Sequence, residues 1–163
     1  MQPLSITLPS DREIRITRSF AAPAELVFDC WTIPALIRRW LGPADWVFVT
    51  CEFDARVGGK WRFVTRGPDG FEMGSSGEVL EITRPGWIKM TELYDMDWTG
   101  GQTIVTNTIT EQDGVTTSVV TVLYANREAR DGARATPMAE GMEMGFKRLD
   151  DLLEHRPTDR LTD

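Results

Sequence analysis

The stretch PMAEGMEMGFKRLDDLLEH, from Pro137 to about His155, constrains the fold more than any other. Apolar or small residues recur at Met138, Gly141, Met142, Gly145, Phe146, Leu149, Leu152 and Leu153, which is one stripe of a 3.6-residue helix. Glu140, Glu143, Lys147, Asp151 and Glu154 fall on the other side. Thr136 is placed to cap the N-terminus, and Pro137 fits the first helical position. A helix of this length runs roughly 28 Å, enough to cross a small sheet. Its second half is leucine, suited to firm packing. Its first half is methionine and glycine. There, Gly141 and Gly145 either let a strand approach closely or leave space beside adaptable methionines.

The chain before it is mostly strand-like. Residues 1–11 carry two prolines and read as a loose lead-in. Glu13 to Phe20 alternates as a half-buried strand, with Ile14, Ile16 and Phe20 inward. Arg18 shares that face and is expected to snorkel to water at the strand end. Pro23 opens a helix with Leu26, Val27, Cys30 and Trp31 as its stripe. Pro34 opens a second, with Leu36, Ile37, Trp40 and Leu41, and Gly42-Pro43 ends it.

Six strands then follow: Trp46 to Phe53, Lys60 to Arg66, Phe71 to Ile82, Trp87 to Tyr94, Gln102 to Glu111 and Val115 to Tyr124. Gly74-Ser75-Ser76-Gly77 suggests a bulge or bend in the third. Asp113-Gly114 predicts a hairpin between the last two. Asp95 to Gly101 is a polar loop tip carrying Trp98, and Asn126 to Arg134 is charged with room for a helical turn. Strands joined by turns this short must be antiparallel, and the terminal helix is the one element long enough to cover them.

Composition narrows the function. A length of 163 residues is one domain with a real core, expected to span 1–163 with frayed ends at about 1–11 and 156–163. The net charge of −7 disfavours a nucleic-acid partner. No run approaches the ~20 apolar residues needed to span a bilayer, and MQPLSITLPSD lacks the basic start and apolar run of a signal peptide. Cys30 and Cys51 read as reduced and buried in a cytoplasmic protein.

Conventional catalytic constellations are hard to build. The one histidine, His155, belongs to the end of the last helix. One histidine and two distant cysteines make no metal site, and neither a P-loop nor a nucleophile elbow is present. No cofactor is expected. The informative residues are polar ones on apolar strand faces. If Ile88 and Met90 point inward, so does Glu92; if Val105 and Ile109 do, so does Asn107. Glu92 and Asn107 then anchor an apolar pocket walled by Trp31, Trp40, Trp61, Phe63, Met90, Met138, Met142 and Phe146. Alternatively, Glu92 is solvated at a strand end and Asn107 bonds a neighbouring backbone group.

The runs APAELVFDCWTIPALIRRWLGP at 22–43, DARVGGKWRF at 54–63, PDG at 68–70, GEVLEI at 77–82 and EGMEMGFKRLDDLL at 140–153 resemble a known family. It is the activator of Hsp90 ATPase homologue family (AHSA1-like, SRPBCC) of the START-like helix-grip superfamily, and the likeness covers about residues 12–155. The resemblance implies an α+β helix-grip fold. A curved antiparallel sheet of six or seven strands would wrap around the long C-terminal helix, with two short helices after strand 1 and often a cavity between.

The co-chaperone that names the family has a separate Hsp90-binding N-terminal domain, for which this chain is expected to have no room. Fold likeness alone does not choose a function. The leading expectation is non-catalytic binding of a small apolar or aromatic molecule. The alternatives are a cyclase- or dehydratase-type enzyme using Glu92 and a co-chaperone-like interaction module with a chaperone partner. A homodimer stays open.

Overall fold

The computed structural model describes residues 3–155. Eight strands form one antiparallel sheet: β1 (Ser5–Thr7), β2 (Glu13–Phe20), β3 (Val47–Phe53), β4 (Lys60–Arg66), β5 (Glu72–Thr83), β6 (Trp87–Tyr94), β7 (Thr103–Gln112) and β8 (Val115–Leu123). Four helices accompany them: α1 (Ala24–Thr32), α2 (Pro34–Trp40), α3 (Arg127–Arg134) and α4 (Met138–Glu154). The spatial order is β1-β2-β8-β7-β6-β5-β4-β3. This is the α+β helix-grip architecture, with eight strands rather than six or seven. The additional strand is β1, which pairs with β2 from Ser5↔Thr17 to Thr7↔Arg15. The lead-in is therefore not loose over its whole length; residues 156–163 lie outside the described part.

From β3 to β8 the chain is a meander, because each turn is too short to cross over. Asp113 and Gly114 have φ of 54° and 80°, as a tight hairpin matching strand twist requires. The bulge falls between Val79 and Glu81 of β5, after the Gly74 to Gly77 stretch where the sequence suggests it. Gly77 answers a different need: a Cβ there would collide with the Thr91 carbonyl and the Trp61 indole.

The α1–α2 pair carries the chain from β2 to β3 at the far edge, α1 lying over β7 and β8 and α2 against β3. The Glu111 carboxylate of β7 accepts from the Ala24 amide at 2.8 Å, placing an anion at the N-terminus of α1. The α3 segment forms two full turns, capped by the Asn126 side chain accepting from the Ala129 amide at 2.8 Å. Thr136 does not cap α4. Its hydroxyl turns back to donate to the Ala133 carbonyl at 2.6 Å, and Pro137 occupies the cap position.

The core joins Ile14, Ile16 and Phe20 of β2 to Val27 of α1, Trp40 of α2 and Leu149 of α4. Arg18 corrects the expectation of a solvated strand end, being only 7 % exposed. It donates to both Asp150 carboxylate oxygens at 2.9 and 2.8 Å and lies over the Phe20 and Phe146 rings. A paired guanidinium thus ties β2 to α4. Among the described residues no helix is long and apolar enough to cross a membrane. Both cysteines are buried and free.

Candidate functional site

Side-chain alternation puts Ile88, Met90, Glu92 and Tyr94 of β6 on one face with Thr103, Val105, Asn107 and Ile109 of β7. Register brings Asn107 between Ile88 and Val120, and Val105 between Met90 and Val122. Above them α1 presents Trp31. Its ring meets Trp40 edge-on at 4.8 Å and 74°, and tilts against Phe146 at 6.4 Å. Trp40 is itself fixed by donating from its indole nitrogen to the Cys30 carbonyl at 2.8 Å.

Between Trp31 and the sheet lies a cavity of about 30 Å3, lined by Trp31, Phe53, Ile88, Met90, Val105, Asn107 and Val120 and partly open to solvent. It has room for about two water-sized groups. Its exposed surface is almost wholly apolar, and the side-chain nitrogens of two lining residues, Asn107 Nδ2 and Trp31 Nε1, are buried without a partner among the described residues. Asn107 is 4 % exposed, and its Oδ1 accepts from the Ser118 hydroxyl at 2.8 Å.

Glu92 sits elsewhere on the same face. It pairs with Thr103 while Asn107 pairs with Ile88, so the two are four residues apart along the strands, about 13 Å. The Glu92 carboxylate is half-buried and accepts from the Thr103 hydroxyl at 3.4 Å. Burial pushes its pKa up to about 7, against the pull of hydrogen bonds from Thr103 and Tyr94. The Tyr94 phenol is driven well above its ordinary range, by burial first and then by the neighbouring carboxylate. Tyr124, 4 % exposed, is raised to about 12 by burial and then by Glu92.

The other pocket residues expected from sequence occupy three places. Trp40 and Phe146 stack at 6.1 Å within the core. Trp61 is buried and donates to the Thr91 carbonyl at 3.1 Å, and it packs on half-buried Phe63 at 4.8 Å. Met138 and Met142 of α4 lie partly buried against the core. The two glycines of α4 differ. Gly145 is buried, and a Cβ there would lie 3.2 Å from the Trp40 carbonyl oxygen. Gly141 is exposed with open space around it, so it forms no pocket wall.

Phe53, Ile88, Val105 and Val120 line the cavity without having been singled out. Alternation already put Ile88 and Val105 beside Met90 and Asn107. Phe53 reaches the site only through the β3–β4 pairing, Phe53↔Trp61.

The family model for activator of Hsp90 ATPase homolog 1-like proteins matches residues 21–154. The chain belongs to this family. Among solved structures, a Rhodobacter sphaeroides protein is 35% identical, with 95% of this chain and 100% of that one covered at a TM-score of 0.91. An AHSA1 protein from Silicibacter pomeroyi is 22% identical over 87% and 97% of the two chains, TM-score 0.71. A Mycobacterium smegmatis protein is 22% identical over 94% and 99%, TM-score 0.81. The last two show the fold alone. No curated protein matches. The family match includes Trp31, Glu92 and Asn107, and it assigns a chemical role to none of them.

Proposed function

We propose that this chain binds a small apolar or aromatic molecule on the concave side of its sheet. The observation that carries the reading is the cavity beneath Trp31, whose surface is almost wholly apolar, with Asn107 as the polar residue among those that line it. That is the composition of a small-molecule site. At about 30 Å3 it admits only the tip of a ligand. The body would lie along the half-buried aromatic surface of Phe53 and Phe63, whose rings stack at 6.5 Å. The candidate contacts are therefore Trp31, Met90 and Asn107 in the cavity wall, with Trp61 and Phe63 beside that aromatic surface and Glu92 outside the cavity on the same face of the sheet. Trp40, Phe146, Met138 and Met142 support them from the core side.

Thermal denaturation against a panel of neutral aromatic compounds tests the reading, with native mass spectrometry of freshly purified protein in parallel. A ligand at 100 times its Kd adds about 2.7 kcal/mol of stability. Val105→Trp, which fills the cavity, should abolish the shift. A protein that carries no co-purifying molecule and responds to no panel member refutes the proposal.

A second reading rests on Glu92. A carboxyl titrating near 7 beside a tyrosine hydroxyl suits proton transfer at neutral pH. In that reading Glu92→Gln eliminates turnover of a bound ligand and leaves its affinity intact. Loss of affinity without loss of turnover per bound molecule would exclude it.

A further inference from the structure

Two apolar hollows lie along β6. Met90 lines the cavity beneath Trp31. Tyr94, four residues further on, lines a second hollow of about 10 Å3 with Met73, Met96 and Trp98, partly open to solvent. Alternation keeps Met90, Glu92 and Tyr94 on one face, and the pairing with β5 holds one register from Met90↔Val79 to Tyr94↔Ser75. The two hollows therefore stand about 13 Å apart along the strand. Each is too small to enclose a ligand by itself, with room for about one or two water-sized groups. The outer one is roofed by Trp98, whose ring lies 5.1 Å from that of Tyr94 and which is 45 % exposed.

Glu92 sits midway between them and is half-buried. Burial and hydrogen bonds from Thr103 and Tyr94 act on its carboxylate, and no cationic side chain among the described residues pairs with it. Other carboxylates of β5 and the β6–β7 loop have their cations: Glu72 has Arg66, Glu78 has Lys60 and Asp95 has Arg62. A partly buried carboxylate with no counter-charge is costly.

We infer that the molecule bound on this face is an organic amine with two apolar arms, its ammonium on the Glu92 carboxylate and one arm in each hollow. The inference rests on reading this face of the sheet as a ligand site and specifies the class of ligand. An ammonium donates a charge-assisted hydrogen bond and supplies the cation that Glu92 lacks. A neutral ether or hydroxyl at the same place leaves the carboxylate unopposed, and an acid adds a like charge. The spacing of the hollows sets the length of the molecule, and their apolar walls set the character of its ends.

The test compares three probes at pH 8, where the carboxyl is ionised. They are bis(3-phenylpropyl)amine, bis(3-phenylpropyl) ether and the one-armed 3-phenylpropylamine. Affinities are measured by equilibrium dialysis. The wild-type chain should hold the two-armed amine roughly tenfold or more above the ether, for the charge-assisted bond. It should hold it roughly tenfold or more above the one-armed amine, for the second buried ring.

In Glu92→Gln the preference for amine over ether should fall to within about twofold while the ether binds as before. In Trp98→Ala, a change on an exposed loop, the gain from the second arm should fall to within about twofold while the one-armed amine binds as before. Circular dichroism confirms that both variants fold. Equal binding of amine and ether by the wild type, or of the two amines, overturns the inference and leaves the ligand-site reading standing. Binding of none of the three also overturns it; if the neutral aromatic panel fails as well, the ligand-site reading falls with it.

Discussion

Replacing Glu92 with glutamine should change how stability depends on pH. The carboxyl titrates near 4.5 in its ordinary state and at about 7 in the folded chain. Between those values the folded state holds a proton that the unfolded state has released. Stability therefore falls as pH rises through this window, the opposite of the usual salt-bridged carboxylate. Each tenfold change in proton affinity is worth about 1.36 kcal/mol, so the full effect is about 3 kcal/mol. It is absent at pH 4 and complete by pH 8.

Glutamine carries no charge, so Glu92→Gln removes this dependence while keeping an oxygen for the Thr103 hydroxyl. Urea denaturation of both proteins at half-unit steps from pH 4 to 8 isolates the effect, because all other titrating groups cancel in the difference. The variant should gain on the wild type by about 1 kcal/mol for each pH step of one between pH 5 and 7. By pH 8 that corresponds to a Tm difference of roughly 6–12 °C for a chain of this size. A stability difference that stays flat across the range would refute burial of the carboxyl as the cause. A difference confined below pH 4 would mean that the carboxylate is solvated when folded.

Three other perturbations follow from the packing. Gly77→Ala should destabilise by several kcal/mol, because the new methyl collides with the Thr91 carbonyl and the Trp61 indole. Gly141→Ala should stabilise by about 0.5–1 kcal/mol, since the position is helical and open; paired thermal melts with shifts of the same sign would contradict the geometry. Arg18→Ala should cost about 2–3 kcal/mol in urea denaturation, below the usual cost of breaking a fully buried pair because Asp150 keeps partial access to water. A loss under about 0.5 kcal/mol would mean that the Asp150 contact does not hold α4.

Much of the fold was legible because its signals are local. Alternation placed Ile14, Ile16 and Phe20 inward, and the Asp113-Gly114 turn follows from the two residues alone. The two-sided character of α4 was partly legible. Leu149, Leu152 and Leu153 are buried, but the two glycines have different roles, one packed on Trp40 and one facing open space. Helical period put both on one stripe; only the position of α2 separates them. Of the candidate site, the inward direction of Glu92 and Asn107 was legible, but their separation was not. Both obey the same alternation, and only the pairings Glu92↔Thr103 and Ile88↔Asn107 set them apart along the sheet.

By itself, the sequence determined which side chains share a face of the sheet and where most strands and helices begin, since period and turn chemistry act over a few residues. Tertiary structure alone decided which distant groups meet. Arg18 finds Asp150 across 132 residues, β8 docks beside β2, and Trp31 of α1 comes to line one cavity with Asn107 of β7. Those outcomes depend on how helices and sheet pack as solid bodies, and close packing responds to shape and volume that no local pattern encodes.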